Sequence, residues 1–458
     1  MVDCEYRQEA DSVGSLRVPK EAYYGVNAKR AYQNFQITGT RLDPLFIDSL
    51  VEVKKATALA NMQLGELEQK VGEAIVTACD EMLDGQHLDA VIVDPIQGGA
   101  GTSSNMNINE ILANRAIELL GGEKGQYELV SPTDHVNRGQ STNDVFPTAG
   151  KITFLKKATS LLEVLERLEK VFQEKAEKFA TIKKMGRTQL SDAVPITVGR
   201  EFGAYASVTR RNIDRLTHVM KEIEVINLGG TAIGTGISAH PDLSKTVEKY
   251  LNLETELDLR IADDLVDGTQ NIDSFAMLAD CLKTIGISTS KIANDIRLLS
   301  SGPRTGFGEL IIPAKQNGSS IMPGKINPVI PEVVNQSAFL VAGNSVTVSM
   351  AVESGQLELN AFEPVIFYCM IQSFNALEKA FSTFIDNCLI DIQVNEKRCE
   401  ELLESSTYLT TGLAKTIGYE KAAKIAKQSL ADGRSVREIA IEQGISEDLI
   451  NELAGSII

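Results

Sequence analysis

The longest regular pattern in the chain lies at residues 151 to 179, which read KITFLKKATSLLEVLERLEKVFQEKAEKF. Apolar side chains recur there at three-, four- and seven-residue steps, with Lys and Glu between them. The main ones are Leu161, Leu165, Leu168, Phe172 and Phe179. This spacing places them on one face of an α-helix, which turns about every 3.6 residues. The stretch therefore predicts an amphipathic helix roughly 40 Å long, at ~1.5 Å per residue.

Four later segments repeat this helical pattern, at 202–228, 273–299, 328–350 and 364–389. Five long amphipathic segments in succession predict an up-and-down bundle of helices. Several of them carry more than one apolar stripe, and a helix with a wide apolar face needs a further helix to cover it. The pattern therefore predicts a mainly α fold with a central long-helix bundle. It also favours an oligomer in which another subunit supplies the covering helix.

Shorter helical patterns lie on both sides of the bundle. We divide the chain into an N-terminal mixed helical domain at 1–140, the central helical bundle at 141–395 and a small C-terminal helical domain at 396–458. Short helices are expected at 46–64, 71–83, 107–120, 421–429, 435–443 and 446–453.

The charge balance limits the partners of the chain. It has 45 Lys and Arg against 62 Asp and Glu, a formal net charge of −17. A protein this acidic is repelled by phosphate backbones and anionic lipid, which argues against nucleic-acid and membrane partners. A small anionic substrate remains compatible, because local positive groups can outweigh the global field. No apolar run approaches the ~18 residues of a membrane span, and the polar N-terminus does not resemble a signal peptide.

The cysteines and histidines show no metal-site or disulfide pattern. The six cysteines are scattered, without a CxxC pair, and the four histidines have no partner three or four residues away. This favours reduced thiols in the cytoplasm and argues against a zinc site.

Four segments interrupt the helical pattern with small polar residues. They read GGAGTSSNMN at 98–107, GQSTND at 139–144, GRTQLSDA at 186–193 and GSSIMPGKINP at 318–328. Each precedes a predicted helix, and hydroxyl, amide and free N–H donors at a helix start suit carboxylate binding. For the first three, a turn followed by a helix N-cap explains the pattern equally well. The first segment lacks the lysine of a phosphate-binding loop, as does the glycine-rich run GGTAIGTG at 229–236, which argues against nucleotide binding.

The fourth segment is the most specific. It resembles the signature loop of the aspartase/fumarase superfamily, whose enzymes eliminate across a Cα–Cβ bond to release fumarate. Ordered motifs extend the resemblance over nearly the whole chain. They are PKEAYYGV at 19–26, QGGAGTS at 97–103, HVN at 135–137, QSTND at 140–144, KMGRTQL at 184–190, SSGPR at 300–304, NPVIPEVVNQ at 327–336 and GQLELN at 355–360.

Two positions discriminate within that superfamily. Class II fumarases usually read GRTH at the third segment and NPTQCE after the signature loop, whereas this chain has Gln189 and the run PVIPE at 328–332. Both favour the ammonia-lyase branch, and the PVIPE run carries more weight because some members of that branch keep His. A fumarate hydratase and a lyase for another amino acid, such as a 3-substituted aspartate, remain alternatives. A non-catalytic assembly protein is disfavoured because Ser319, Lys325 and Asn327 are all present.

By this resemblance, Ser319 is the general base and lies on a mobile loop that closes over the substrate. The pKa of a serine hydroxyl is far above 7, so its alkoxide needs nearby donors. We expect the backbone N–H groups of the loop and the Lys325 cation to supply them. Gly318 and Gly324 would give the loop its freedom to close.

The resemblance also implies which residues bind the substrate. They share hydroxyl, amide or amine groups and fall into three sets: Lys325, Asn327 and Thr188 for the α-carboxylate; Thr102, Ser141, Thr142 and Ser320 for the β-carboxylate; and Asn143 and Gln189 for the ammonium. One argument is independent of family. An amide cannot exchange a proton near pH 7, and an ammonium leaves as neutral ammonia without an acid. Gln189 therefore suits ammonia release better than water release.

The resemblance further implies a homotetramer whose active sites are each shared between subunits. The implied substrate is a small dicarboxylate, with no bound cofactor and no metal site. The sequence leaves activation by a divalent cation open.

Overall fold

A computed structural model of the chain describes residues 5–456. The predicted mainly α fold is confirmed. The helices are α1 (Val26–Asn34), α2 (Pro44–Leu64), α3 (Gln69–Leu83), α4 (Thr102–Leu119), α5 (Thr142–Lys178), α6 (Val198–Ile223), α7 (Leu243–Thr255), α8 (Leu265–Gln270), α9 (Asp273–Leu299), α10 (Val329–Glu353), α11 (Glu363–Phe384), α12 (Glu396–Ser405), α13 (Leu409–Ile417), α14 (Tyr419–Asp432), α15 (Val436–Glu442) and α16 (Glu447–Ser456).

Short strands pair in twos. They are β1 (Tyr6–Asp11) with β2 (Gly14–Pro19), β3 (Lys183–Thr188) with β4 (Ser191–Thr197), β5 (Val225–Ile226) with β6 (Arg260–Ile261), and β7 (Leu310–Ile311) with β8 (Gln393–Val394). The β5–β6 pair is parallel and the other three are antiparallel. Single turns of 3-10 helix at Leu88–Ala90 and of π-helix at Pro132–Val136 and Ile385–Leu389 complete the elements.

The five long predicted helices are present, four of them with shifted ends. α9 coincides with its predicted range, whereas α5 begins nine residues before the predicted 151 and continues through Pro147. The helix predicted at 202–228 ends at Ile223, and β5 begins two residues later. The predicted division into three domains is not tested by these boundaries and stays a prediction.

One compact unit of the chain combines the segment up to Leu161 with Arg215–Thr284 and Leu340–Ala376. Its core contains a cluster of phenylalanines from different helices. Phe146 stacks on Phe367 with ring centroids 4.9 Å apart, and Phe46 meets Phe146 edge-on at 5.2 Å. Gly101 is buried with a positive φ of 89°, and a Cβ there would lie 2.4 Å from the Phe146 ring. The Gly-rich segment before α4 therefore runs directly against this core.

The second compact unit combines Leu162–Asp214, Ile285–Phe339 and the chain from Leu377 onward. Between α5 and α6, the rings of Phe172, Phe202 and Tyr205 lie within 5.6 to 6.3 Å of one another. A separate apolar cluster joins α12 to α16, and Met185 of β3 packs into it. The root of the β3–β4 hairpin is therefore held by the C-terminal helices.

No helix within the described residues is long and apolar enough to cross a membrane.

Candidate active site

The segment at 141–144 forms the start of α5 and carries three predicted substrate-binding residues. The Ser141 hydroxyl accepts from the backbone N–H of Asn143, and the Asp144 carboxylate accepts from the backbone N–H of Ser141. Such reciprocal bonds satisfy donors that a helix start otherwise leaves unpaired. Ser141, Thr142 and Asn143 are thereby held in place at the positive end of a long helix dipole, which favours an anionic ligand.

Two further hydrogen bonds fix Asn143, one through its side-chain amide and one through its backbone carbonyl. Its Nδ2 donates to the carbonyl of Ala232 at 2.7 Å, so its Oδ1 is the side-chain atom that can accept from a substrate ammonium. In a regular helix the Asn143 carbonyl would accept from the residue four positions later, but that residue is Pro147, which has no N–H. The Asn227 side chain donates to that carbonyl instead, at 3.0 Å. The proline inside α5 is thus accommodated by a side chain from the segment before the glycine-rich loop at 229–236.

Asp144 is completely buried and binds that glycine-rich loop. Its carboxylate accepts from the backbone N–H groups of Gly229 and Thr231, at 3.1 and 2.9 Å, in addition to Ser141. Burial raises the pKa of Asp144 to about 6, and the three backbone hydrogen bonds oppose that rise. Asp144 therefore holds the start of α5 and the loop together as one polar cluster.

A buried lysine on α2 completes this cluster. The Lys54 side chain is fully buried, and its Nζ donates to Asn137 Oδ1 and Gln140 Oε1, both at 2.9 Å. Burial lowers the pKa of Lys54 to about 7, and the nearby Asp144 charge acts in the opposite direction. Lys54 therefore fixes the loop that leads into Ser141.

Thr102 and Thr142 are connected through α4. Thr102 is the first residue of that helix, and its hydroxyl donates to the carbonyl of Gly99 at 2.8 Å. Asn105, one turn later, donates from Nδ2 to the Thr142 hydroxyl at 3.1 Å. The Thr142 hydroxyl proton is then free to point to a carboxylate, since its oxygen already has a donor.

Thr188 and Gln189 lie at the tip of the β3–β4 hairpin and are exposed. Gln189 and Leu190 form its two-residue turn, with φ values of 53° and 63°. A turn with two positive φ values normally uses Asn or Gly, so this one is strained. Strain of this kind persists where the surroundings determine the backbone, and it is common at functional sites.

The loop at 312–328 presents Ser319. The backbone N–H groups of Ile321 and Met322 donate to Ser319 Oγ, at 3.2 and 3.1 Å. Two donors on the oxygen favour its charged form, because a hydrogen bond to an anion is stronger than one to a neutral group. The loop supplies backbone donors of the kind that the sequence predicts for a serine base.

Within this loop, hydrogen bonds join Gly318 to the segment after Ser319. Gly318 N–H donates to the Lys325 carbonyl, and Asn327 Nδ2 donates to the Gly318 carbonyl, both at 2.8 Å. A Cβ on Gly318 would lie 2.5 Å from that Lys325 oxygen, which explains the glycine. Lys325 and Ser320 are exposed, and Gly324 has a positive φ of 80°. The Lys325 side chain is therefore available to an anion.

The ten predicted site residues thus form two groups within the described part of the chain. Thr102, Ser141, Thr142 and Asn143 belong to the first compact unit, and Thr188, Gln189, Ser319, Ser320, Lys325 and Asn327 belong to the second. Their catalytic and binding roles remain predictions.

Sequence reasoning missed Lys54 and Asp144. The Ser-x-x-Asp spacing at 141–144 is a signal for a capping box and could have identified Asp144. Lys54 gives no such signal, because its partners lie more than 80 residues further along the chain. Within residues 5–456, no group of three His, Cys, Asp or Glu side chains could hold a metal ion.

Comparison with known families identifies the chain. A family model described as "Lyase" matches residues 14–343, and one described as "Fumarase C C-terminus" matches residues 409–454. The chain is 49% identical to an aspartate ammonia-lyase of Bacillus sp over 99% of its own length and 97% of that protein. It is 43% identical to the aspartate ammonia-lyase of Escherichia coli K12, over 96% of its own length and 92% of that protein.

Solved structures give the same result. A fumarate lyase of Brucella melitensis, described as fumarate lyase:delta crystallin bound to cobalt, is 45% identical and superposes with a TM-score of 0.96 over 99% of both chains. A class II fumarase of Schistosoma mansoni is 34% identical, with a TM-score of 0.94 over 98% of both chains. The signature loop, the full-length identity and the fold agree, and the chain belongs to the lyase family that includes these aspartate ammonia-lyases and this fumarase.

Proposed function

We propose that this protein is an aspartate ammonia-lyase, a carbon–nitrogen lyase that reversibly eliminates ammonia from L-aspartate to give fumarate. The observation that carries the proposal is the identity of 43–49% with proteins named aspartate ammonia-lyase, over nearly the whole chain. A class II fumarase activity is less well supported, because the fumarase among the structural relatives is 34% identical to this chain.

In the proposed reaction, Ser319 removes a proton from the β-carbon of aspartate. The resulting carbanion is stabilised as a doubly charged aci-carboxylate, so catalysis depends on donors placed where that charge develops. The N–H groups of Ile321 and Met322 would stabilise the Ser319 alkoxide. Ser141, Thr142 and Ser320 would donate to the β-carboxylate, where the negative charge grows. Thr102 would donate there once its hydroxyl turns away from the Gly99 carbonyl.

The opposite end of the substrate would be held by Lys325, Asn327 and Thr188 at the α-carboxylate. Asn143 Oδ1 and the Gln189 amide would accept from the ammonium. Neither amide can supply a proton, and none is needed when the C–N bond breaks, because the nitrogen leaves as neutral ammonia with the bonding electrons. Loss of hydroxide from malate would require an acid at the same position.

We also propose that the working form is a homotetramer whose active sites draw residues from several subunits. In support, α10 carries an exposed apolar stripe at Phe339, Val346 and Met350, which are 68, 58 and 66% exposed. They follow one face of the helix at seven- and four-residue steps, and exposed apolar patches of this kind mark protein contacts. Light scattering should give the mass of four chains, and Phe339→Asp should lower that mass.

The proposed location is the cytoplasm, and the proposed chemistry uses no organic cofactor. The five described cysteines are free and buried, as expected of a protein kept in reducing surroundings. Activity with and without a chelator would show whether a divalent cation is an activator.

The decisive experiment follows the absorbance of the fumarate double bond at neutral pH, with L-aspartate and L-malate in parallel. Fumarate from aspartate and none from malate supports the proposal. Fumarate from malate at the higher rate would make the protein a fumarate hydratase. If neither substrate yields fumarate, the proposal fails and 3-substituted aspartates become the next substrates to test.

A further inference from the structure

The β3–β4 hairpin, whose tip carries Thr188 and Gln189, has an irregular register below the tip. Between the pairs Met185–Pro195 and Arg187–Asp192, one residue of β3, Gly186, opposes two residues of β4. A Cβ on Gly186 would lie 2.6 Å from the carbonyl of Val194, so only glycine fits this close approach. Such a bulge, whose extra residue lies on β4, increases the local twist of the two strands.

Two side chains of β3 meet on one carboxylate. Lys184 and Arg187 are three residues apart and would face opposite sides of a regular strand. Here Arg187 donates from both terminal nitrogens to Glu309, each at 3.0 Å, and Lys184 Nζ lies 3.2 Å from Glu309 Oε2. Lys184 also contacts both carboxylate oxygens of Glu201, at 2.8 and 3.0 Å. The four side chains form a network of two cations and two anions.

Most of this network is buried, and Glu201 is its most exposed member at 22%. The side chains of Glu309 and Lys184 are 1 and 2% exposed, and that of Arg187 is 11% exposed. The guanidinium of Arg187 also lies 4.3 Å from the centroid of the Phe307 ring. A bidentate pair stacked on a ring fixes both the distance and the plane of the guanidinium, which an ammonium group at the same place could not do.

Both ends of the network lead to predicted site residues. Arg187 directly precedes Thr188 and the strained turn residues Gln189 and Leu190, whose positive φ values require firm support from the surroundings. Glu309 is anchored by its backbone, since its N–H donates to Leu299 and its carbonyl accepts from Asn395. The chain then passes through β7 into the loop that carries Ser319.

We propose that Arg187 is a positioning residue for the lyase reaction: held by Glu309, Lys184 and Phe307, it sets the backbone of the hairpin tip so that Thr188 and Gln189 meet the α-carboxylate and ammonium of the substrate. The inference rests on the proposed function, because that function gives the tip its ligand. A purely stabilising ion pair would affect activity with or without Thr188 and Gln189, whereas the proposed effect of Arg187 on the reaction requires them.

The test is a mutant cycle between the network and the tip. Its members are the natural protein, Arg187→Lys, the double variant Thr188→Ala/Gln189→Ala and the triple variant. The measured quantities are kcat and KM for L-aspartate and the calorimetric Kd for fumarate, all well below the thermal midpoint of each variant. Arg167→Lys, which alters an exposed ion pair to Asp386, is the matched control and should leave all three values unchanged.

Arg187→Lys keeps the charge but cannot make the two parallel hydrogen bonds to Glu309. We expect kcat/KM to fall by about tenfold or more, because small displacements of binding groups are costly. In the background without Thr188 and Gln189, the same change should alter kcat/KM and Kd by less than about twofold, since coupled residues are not additive. An equal fold-change in both backgrounds would overturn the proposal, as would kcat/KM for Arg187→Lys within twofold of the natural protein.

Phe307→Leu provides a milder perturbation if Arg187→Lys does not fold, because it removes the stacked ring and leaves the ion pairs. It should give a smaller loss of kcat/KM with the same dependence on Thr188 and Gln189, and equal losses in both backgrounds would again overturn the proposal. Failure of the proposed function is distinguishable: the natural protein would then release no fumarate from L-aspartate at all.

Discussion

The two groups of predicted site residues are supported in different ways. Ser141, Thr142 and Asn143 lie at the start of a 37-residue helix and are held by buried polar bonds to Asp144 and Asn105. Thr188, Gln189 and the Ser319 loop are exposed and occupy a strained turn and an irregular segment. Ser141, Thr142 and Asn143 are therefore held by the folded core, although Thr102 of the same group is exposed. The second group can change without unfolding the chain. Segments that move during turnover are normally of the second kind.

The largest effect should come from the exposed group. Replacing Ser319 by Ala removes the proposed base, and we expect kcat to fall by about 10²- to 10⁴-fold, the usual contribution of a general base. The thermal midpoint should stay within about 1 °C, because the hydroxyl accepts its two hydrogen bonds from Ile321 and Met322 of its own loop. Steady-state kinetics and a thermal melt measure the two quantities.

Ser405→Ala is the control for this variant, since it removes an exposed hydroxyl that bonds a backbone carbonyl one turn earlier in α12. Full activity in Ser319→Ala would show that Ser319 is not the general base.

The buried group should behave in the opposite way. Asp144→Ala leaves three backbone N–H groups without an acceptor, of which those of Gly229 and Thr231 are buried, and each unsatisfied buried group costs about 1–3 kcal/mol. We therefore expect the free energy of unfolding to fall by about 3 kcal/mol or more in urea denaturation, with loss of activity in parallel. Asp264→Ala is a matched control, because Asp264 also accepts two backbone N–H groups at a helix start but is exposed. It should cost about 1 kcal/mol, as caps do. Equal costs for both variants would contradict the distinction between the two groups.

Lys54 should give the buried group a characteristic pH dependence. Its pKa is lowered to about 7 in the folded protein, mainly by burial, from 10.5 in an exposed lysine. Between these values the unfolded chain binds one more proton than the folded chain, so stability rises with pH by about 1.4 kcal/mol per unit. The contribution is complete above pH 10.5, declines as the pH falls towards 7 and is absent below it. Urea titrations at pH 7.5 and 9 should show the rise in the natural protein and a shallower slope in Lys54→Met; identical slopes would show that Lys54 does not titrate in this range.

The smallest effect should come from relaxing the strained tip. Leu190 is 71% exposed with a φ of 63°, so Leu190→Gly relieves backbone strain and removes little packing. We expect a gain in stability of about 0.5–1 kcal/mol, partly offset by the greater freedom of glycine in the unfolded chain. Activity should fall a few-fold because Gln189 becomes less constrained. A rise in activity would mean that the strain is not needed to orient Gln189.

The sequence predicted the long helices well because their apolar residues repeat over many turns, as at Leu161, Leu165 and Leu168 of α5. It failed at the β3–β4 hairpin. The strand KKMGRT has no alternation of apolar and polar residues, and a Gln-Leu turn lacks the Asn or Gly that signals two positive φ values. Short strands of this kind depend on contacts with distant segments, which local patterns do not contain.

The site residues show the same difference between local patterns and distant contacts. The donors near Ser319 could be predicted because glycine and hydroxyl residues lie within a few positions of it. Lys54, Arg187 and Glu309 could not, because the side chains to which each is hydrogen-bonded lie 80 or more residues away. Their charged side chains suggest an exposed surface when the sequence is read alone.

The close contact between Gly101 and the Phe146 ring limits how this protein can be redesigned. Any larger residue at position 101 would push on Phe146 and, through it, on Phe367, so mutational scanning should find this position intolerant. Gly98 is different: it is exposed, and a Cβ there would lie 3.6 Å from the Phe35 ring, an ordinary contact distance. Directed evolution for new amino-acid substrates should therefore diversify position 98 and leave position 101 unchanged.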